Sequence, residues 1–233
     1  MHIDLNCDLG EGFAFDTELM PLISSANIAC AAHAGDLTSI AVTLQAAGRY
    51  GVQIGAHPGF IDREHFGRRE LTLPAEQIRS ECATQVSLLE SMALRYGLRI
   101  RYLKPHGALY NLACRDAAFA EPVVAVAEQF GLAVVGLPDS ALQAAANGKV
   151  PFIPEGFADR HYLPDGQLMP RSQPNAFVAS PEEAAQQALR LLAEGRVRTL
   201  CVHGDNPEVL PLVKAVRQAL LAAGYEIRAF HIA

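Results

Sequence analysis

Short apolar runs and longer amphipathic stretches take turns along the whole chain. Strand-like runs fall at residues 3–7, 27–32, 52–56, 100–104, 133–137, 150–153, 199–202 and 226–232. Helical patterns lie between them. Residues 74–96 open on a proline and carry Ile78, Cys82, Val86, Leu89, Met92 and Ala93 along one stripe. Ser180-Pro181-Glu182-Glu183 is a capping-box pattern with proline at the first helical position and Glu183 placed to bond back; it opens a helix to about residue 194. Asp205 or Asn206, followed by Pro207, opens the last long helix, whose apolar face is Leu210, Val213, Val216 and Leu220. Gly195 and Gly224 follow these two helices as caps.

A strictly alternating order of strands and helices implies a mainly parallel sheet, because antiparallel neighbours would be joined by short hairpins. The sheet either closes into a barrel or stays open with helices on both faces. Polar residues favour the barrel. Ile3, Leu5 and Cys7 share one side of the first strand, and Asp4, Asn6 and Asp8 the other. Tyr102, Lys104 and, through the extended Pro105, His106 oppose Leu103; Gln53, Gly55 and His57 align, as do Cys201, His203 and Asp205. A doubly wound sheet, covered on both faces, has no use for such a polar side. The expectation is a single-domain, TIM-like (β/α) barrel spanning residues 1–233 with seven or eight mostly parallel strands.

In such a barrel the C-terminal ends of the strands meet at one mouth. Four apolar runs stop at a histidine there: His33, His57, His106 and His203, each with glycine one or two residues later. A lone strand-end histidine is usually a satisfied hydrogen-bonding residue, but four at equivalent positions point to a shared site. Two connections, at about 57–73 and 155–180, exceed the 2 to 6 residues usual for a βα turn and are expected as binding loops over the mouth. They carry Arg63, Arg68 and Arg69, and Arg160 and Arg171, which suit a carboxylate or phosphate. Pro164-Asp165-Gly166 is a turn signal that folds the second loop into a small hairpin.

Composition narrows the classes. A chain of 233 residues, 50% hydrophobic, can bury one large core of barrel size. With a formal charge of -6 and scattered basic residues it offers nucleic acid no footprint. The first residues lack an export-signal pattern, and no apolar run reaches the ~18 to 20 residues of a membrane span, so a cytoplasmic protein is expected. Five cysteines, Cys7, Cys30, Cys82, Cys114 and Cys201, form no CxxC pair and read as reduced thiols, with Cys7, Cys30 and Cys201 as small buried hydrophobes. No GxxxxGK[ST], GxGxxG or GxSxG is present. If ATP is used, another chain is expected to bind most of it.

Longer motifs then become legible: DLNCDLGEG at 4–12, SANIAC and HAGD within 25–36, GAHPGF at 55–60, FGRR at 66–69, KPHGALYN at 104–111, FADRHYLPDGQLMPRSQP at 157–174 and CVHGDNP at 201–207. From first residues to last helix the chain resembles the LamB/YcsF family. It departs modestly, with a shorter stretch after DLGEG, AAHAGD for the more usual GFHAGD, and EGFADR for EVFADR. The resemblance implies a barrel of the glycoside hydrolase/deacetylase type. It also implies partnership with subunits B and C of an ATP-dependent 5-oxoprolinase, opening the 5-oxoproline lactam to L-glutamate. On that reading Lys104 offsets developing negative charge, and Asp8 or Glu11, with His106 nearby, is the general base. His33, His57 and His203 orient groups or carry protons. Arg160 or Arg69 holds the substrate carboxylate, with Asn6, Glu155 and Asp205 as further substrate-binding candidates. Two alternatives stand beside it: a metal-dependent deacetylase or amidohydrolase with a divalent ion on Asp4 or Asp8, His33, His57 and His203, and a non-catalytic substrate-binding subunit.

Overall fold

The computed structural model of the chain describes residues 1–232. Seven parallel strands close on one another: β1 (His2–Leu9), β2 (Ser25–Ala29), β3 (Gln53–His57), β4 (Ile100–Leu103), β5 (Ala133–Gly136), β6 (Phe152–Phe157) and β7 (Thr199–His203). Consecutive strands are neighbours, and β1 closes the barrel by pairing with β2 on one side and β7 on the other. Of the seven or eight strands expected, the barrel uses seven. The eighth run contributes only β8 (Glu226–Ile227), which pairs with His2 and Ile3 at the start of β1 outside the closed ring. Its continuation instead turns Phe230 inward, where the ring meets Tyr102 at 5.1 Å and packs with Ala133, Val135 and Ile153 at the N-terminal end of the interior.

Small and large inward residues alternate to fill this narrow barrel. A Cβ on Gly55 would collide with the Tyr102 ring, so glycine at that position is what lets the tyrosine cross the interior. The polar side expected of β1 does face inward: Asp4, Asn6 and Asp8 are buried, and Asn27 of β2 donates to both Asn6 and Asp8 at 2.7 Å.

Outside the strands lie α1 (Asp16–Leu19), α2 (Leu37–Tyr50), α3 (Ala75–Arg95), α4 (Gly107–Arg115), α5 (Ala117–Phe130), α6 (Ala141–Ala146), α7 (Pro181–Ala193) and α8 (Val209–Ala222). The expected stripe of α3 is its buried face: Ile78, Cys82, Val86, Leu89 and Ala93 are buried against the barrel, with Met92 half-buried. Ser180 caps α7 by accepting from Glu183 N, but the return bond differs from a capping box. The Glu183 carboxylate accepts from Ala179 N and faces His161 of the long loop at 3.0 Å, which draws it away from the Ser180 backbone. α8 begins later than the sequence suggests, because Asn206 bonds forward to Glu208 N in a local turn and Asp205 is engaged by arginines.

The loop after β6 forms the expected hairpin, with antiparallel bridges Arg160–Phe177 and Tyr162–Leu168 around Gly166 at φ 83°. The strand itself runs through Phe157, so Glu155 belongs to the barrel wall and not to the loop. No helix among the described residues is long and apolar enough to cross a membrane.

Candidate active site

Two polar layers are stacked at the C-terminal end of the barrel. The lower one is centred on Lys104, which Pro105 keeps extended beyond β4 so that its side chain enters the interior. Its ammonium lies 2.9 Å from Asp8 Oδ1, 2.9 Å from Glu155 Oε1 and 3.1 Å from Cys201 Sγ. Asn6 at 3.0 Å and the Tyr110 hydroxyl at 3.1 Å donate to the Glu155 carboxylate, and Asn27 donates to Asp8. Burial disfavours the charged lysine, yet Asp8, Cys201 and Glu155 outweigh that and push its pKa well above the ordinary value. Lys104 is therefore a fixed cation rather than a proton acceptor. Burial likewise raises the Asp8 carboxyl, but His57 and Lys104 reverse the balance and hold it well below the usual range, so Asp8 is an ionised carboxylate at neutral pH.

The upper layer gathers imidazoles around Glu11, which follows β1 on a turn made by Gly10 and Gly12, both at positive φ. Glu11 Oε1 lies 3.2 Å from His106 Nδ1, 3.4 Å from His33 Nε2 and 3.9 Å from His57 Nε2. His33 and His106 stack with centroids 3.7 Å apart. The glycines of HPGF and FGRR make room for this stack: a Cβ on Gly59 would come within 2.9 Å of His33 Nδ1, and one on Gly67 within 2.8 Å of His33 Cβ. Burial and the neighbouring His106 bring His33 down to about 3, and burial lowers His106, so both rings are neutral at pH 7. Burial also opposes the charge on His57, but Asp8 more than compensates and raises it.

His203 stands across the mouth from this group. Its Nδ1 donates to Asp159 at 2.9 Å, its ring stacks on Phe157, and its Nε2 faces Asp8 at 4.0 Å. Asp8, His57, Lys104, His106 and His203 thus line one cavity of about 300 Å³, roofed by Arg68, Arg160 and Arg171 from the two long loops. Arg68 and Arg171 both engage Asp205, while Arg160 donates to the carbonyls of Met169 and Ala176.

Several sequence expectations are corrected by this geometry. Arg69 is largely exposed, pairs with Asp62 at 3.6 Å and lies outside the cavity; its neighbour Arg68 takes the place at the mouth. Arg63 secures the backbone carbonyls of Ala31 and Gly35. Glu155 holds Lys104 from beneath and Asn6 holds Glu155 in turn; neither lines the cavity. Asp205 braces two arginines. The metal-ligand set expected from sequence assembles only in part: Asp8 Oδ2 faces His57 at 3.4 Å and His203 at 4.0 Å, but Asp4 lies deeper, accepting from the hydroxyls of Ser24, Ser25 and Thr199, and His33 gathers with Glu11 instead. Cys201 is buried in the apolar core as expected and also touches the Lys104 ammonium. Sequence reasoning misses Tyr110, Asp159 and Asn27; the first two lie within the motifs KPHGALYN and FADR, and Asn27 has the inward parity of its strand.

Fold and site define a seven-stranded TIM-like barrel with an anion-ready, carboxylate- and imidazole-lined cavity at its mouth. The chain belongs to the LamB/YcsF family, whose family model matches residues 3–233. It is 42% identical to a Neisseria meningitidis protein named as the A subunit of 5-oxoprolinase, over 97% of this chain and 99% of that one. The crystal structure of the lactam utilization protein from Thermus thermophilus superposes with a TM-score of 0.92 at 40% identity, covering 99% of this chain and 100% of that one. A family 4 carbohydrate esterase from Streptomyces lividans shares the fold, with a TM-score of 0.58 at 13% identity over 99% of this chain and 93% of that one.

Proposed function

We propose that this chain is the A subunit of an ATP-dependent 5-oxoprolinase and that its barrel mouth opens the 5-oxoproline lactam to L-glutamate. The observation that carries the reading is the buried Lys104–Asp8 pair on the floor of a small cavity beneath three arginines, in a chain that resembles proteins of that name along nearly its full length.

A lactam carbonyl resists water because the ring nitrogen donates into it. Transfer of a phosphoryl group from ATP to the amide oxygen would withdraw that donation and leave an electrophilic carbon. The sequence carries no phosphate loop, so partner subunits B and C are assigned that transfer and most of the nucleotide contacts. Within this chain, Asp8 takes the proton from the attacking water, a role worth roughly 10² to 10⁴ in rate. Lys104 offsets charge developing on the phosphorylated oxygen. His57 and His203, each facing Asp8 Oδ2, pass the water's proton on to the ring nitrogen as the C–N bond breaks, and a second water then releases phosphate from the resulting acyl phosphate to give glutamate. Arg171 and Arg160 hold the substrate carboxylate. Glu11, His33 and His106 hold His57 in place. A cytoplasmic location fits these roles.

The non-catalytic alternative assigns the same cavity to binding alone; the deacetylase alternative draws on the fold. An oxoprolinase subunit and a deacetylase separate in one assay, and catalysis separates from binding alone in the kcat of an Asp8→Asn complex. Glutamate and phosphate release from 5-oxoproline and ATP are measured with subunits B and C, with and without this chain. Little or no turnover by the chain alone, and none by the partners without it, is the expected pattern; partners that turn over fully without the chain refute the proposal.

A further inference from the structure

We infer that Glu11, His33, His57 and His106 form a binding site for one divalent ion of the Zn²⁺ type. The site differs from the one expected from sequence, and because His57 Nε2 faces both Asp8 and Glu11, a bound ion would leave the proton relay at Asp8 to His203. The far sides of two rings fix their tautomers. His57 Nδ1 lies 2.8 Å from the Lys104 carbonyl oxygen, and His106 Nε2 lies 2.9 Å from the Phe66 carbonyl oxygen. A carbonyl only accepts, so each of those nitrogens carries the ring proton. The opposite nitrogens, His57 Nε2 and His106 Nδ1, then both present lone pairs, and they face each other at 3.0 Å. The Glu11 carboxylate, also an acceptor, points at the same spot. With both rings neutral, three acceptors converge in a buried pocket, which leaves a place for a proton or a metal ion among them.

One proton on His106 Nδ1 would serve His57 and Glu11 together but would leave the contact between those two, at 3.9 Å, unrelieved. A metal relieves all of them, and the spacing suits it once the His33 ring, which lies parallel to His106 at 7°, tilts so that its lone pair reaches the same point. A tetrahedral ion bound at about 2.0 to 2.1 Å separates its donors by about 3.3 Å. Four of the six donor pairs stand at 3.0, 3.2, 3.4 and 3.9 Å, and all four donors lie within 4.8 Å of one another. Three imidazoles and one carboxylate suit a borderline ion such as Zn²⁺ or Co²⁺ better than Mg²⁺ or Ca²⁺. The carbonyls behind His57 and His106 are the usual support of a metal-binding histidine. Phe66, which supplies one of those carbonyls, is a non-glycine residue at φ 55°, and Ala31, two residues before His33, stands at φ 61°. Such backbone strain persists where the surrounding structure enforces it, commonly around functional sites.

The test uses tag-free full-length protein, stripped with a chelator and dialysed against Co²⁺ or Zn²⁺ without substrate or partners, so that its outcome is separate from that of the lactam reading. Elemental analysis should return one ion per chain, and Co²⁺ should give visible d–d bands. Glu11→Gln, His33→Gln and His106→Gln should each weaken binding about tenfold or more. His65→Gln, on the exposed loop, should leave it unchanged. Wild-type protein that retains no stoichiometric ion, or folded variants at all three positions that bind as tightly as wild type, overturns the inference.

Discussion

Replacing Lys104 by methionine removes a cation while nearly keeping the side-chain volume. Lys104 is 1% exposed and touches two carboxylates at 2.9 Å, Asp8 and Glu155, themselves 4% and 0% exposed. Breaking a buried ion pair from one side costs about 3 to 5 kcal/mol, because the remaining charge stays desolvated. Here two carboxylates are left, with His57 as the nearest compensating group for Asp8 only. Lys104→Met should therefore lose about 3 to 5 kcal/mol of stability at pH 7 by urea unfolding. The sign with pH follows from Asp8. Its pKa is depressed in the folded protein, so its pairing stabilises above the ordinary carboxylate pKa and fades as pH falls. The deficit of the variant should accordingly shrink below pH 4. Adding Glu155→Gln removes one orphaned charge and should recover part of the stability. It should not recover turnover, because the lost cation is worth roughly 10² to 10³ in kcat. A Lys104→Met protein as stable as wild type at pH 7, or a double variant with restored kcat, refutes the reasoning.

Three further outcomes follow from the same interior. Burial holds Asp4 near 6 against an ordinary 3.8, so its protonated form contributes about 3 kcal/mol of stability that is present below pH 4 and lost as pH rises through 6. Asp4→Asn should abolish that decline between pH 4 and 7, and parallel stability profiles would contradict it. Gly55→Ala drives a methyl into the Tyr102 ring and should cost about 1 to 3 kcal/mol in urea unfolding; an unchanged midpoint would show that the ring has room to move. Arg171→Met should raise KM for 5-oxoproline about tenfold with kcat within about twofold, the mark of lost ground-state binding; an unchanged KM would remove Arg171 from the site.

The barrel is legible in the sequence because period-two alternation survives in strands that pair regularly, as in β1 and β7. The same parity correctly turns Asp8, Lys104 and His203 toward one mouth. It fails where the backbone leaves that period. Arg68 and Arg69 are adjacent in a loop that turns through Phe66 and Gly67 at positive φ, and only the folded path decides which of them faces inward. The eighth run does not become a barrel strand because β1 already pairs with β2 and β7, and Phe230 packs on the barrel floor. Depth also escapes the sequence. Asp4, Asn6 and Asp8 share a face, but only the Asp8 side chain reaches the cavity, while Asn6 and Glu155 brace Lys104 from below. The glycine-rich motifs signal a special backbone; that they admit stacked imidazoles follows from the positions of His33 and His106.

The central claim, that the barrel mouth performs chemistry as well as binding, rests most directly on Asp8. In the complex with subunits B and C, steady-state rates of ATP-coupled glutamate release should show kcat for Asp8→Asn falling by roughly 10² to 10⁴, with KM for 5-oxoproline changed little. An Asp8→Asn complex with wild-type kcat and only a raised KM would contradict the account and leave the chain with a substrate-binding role alone.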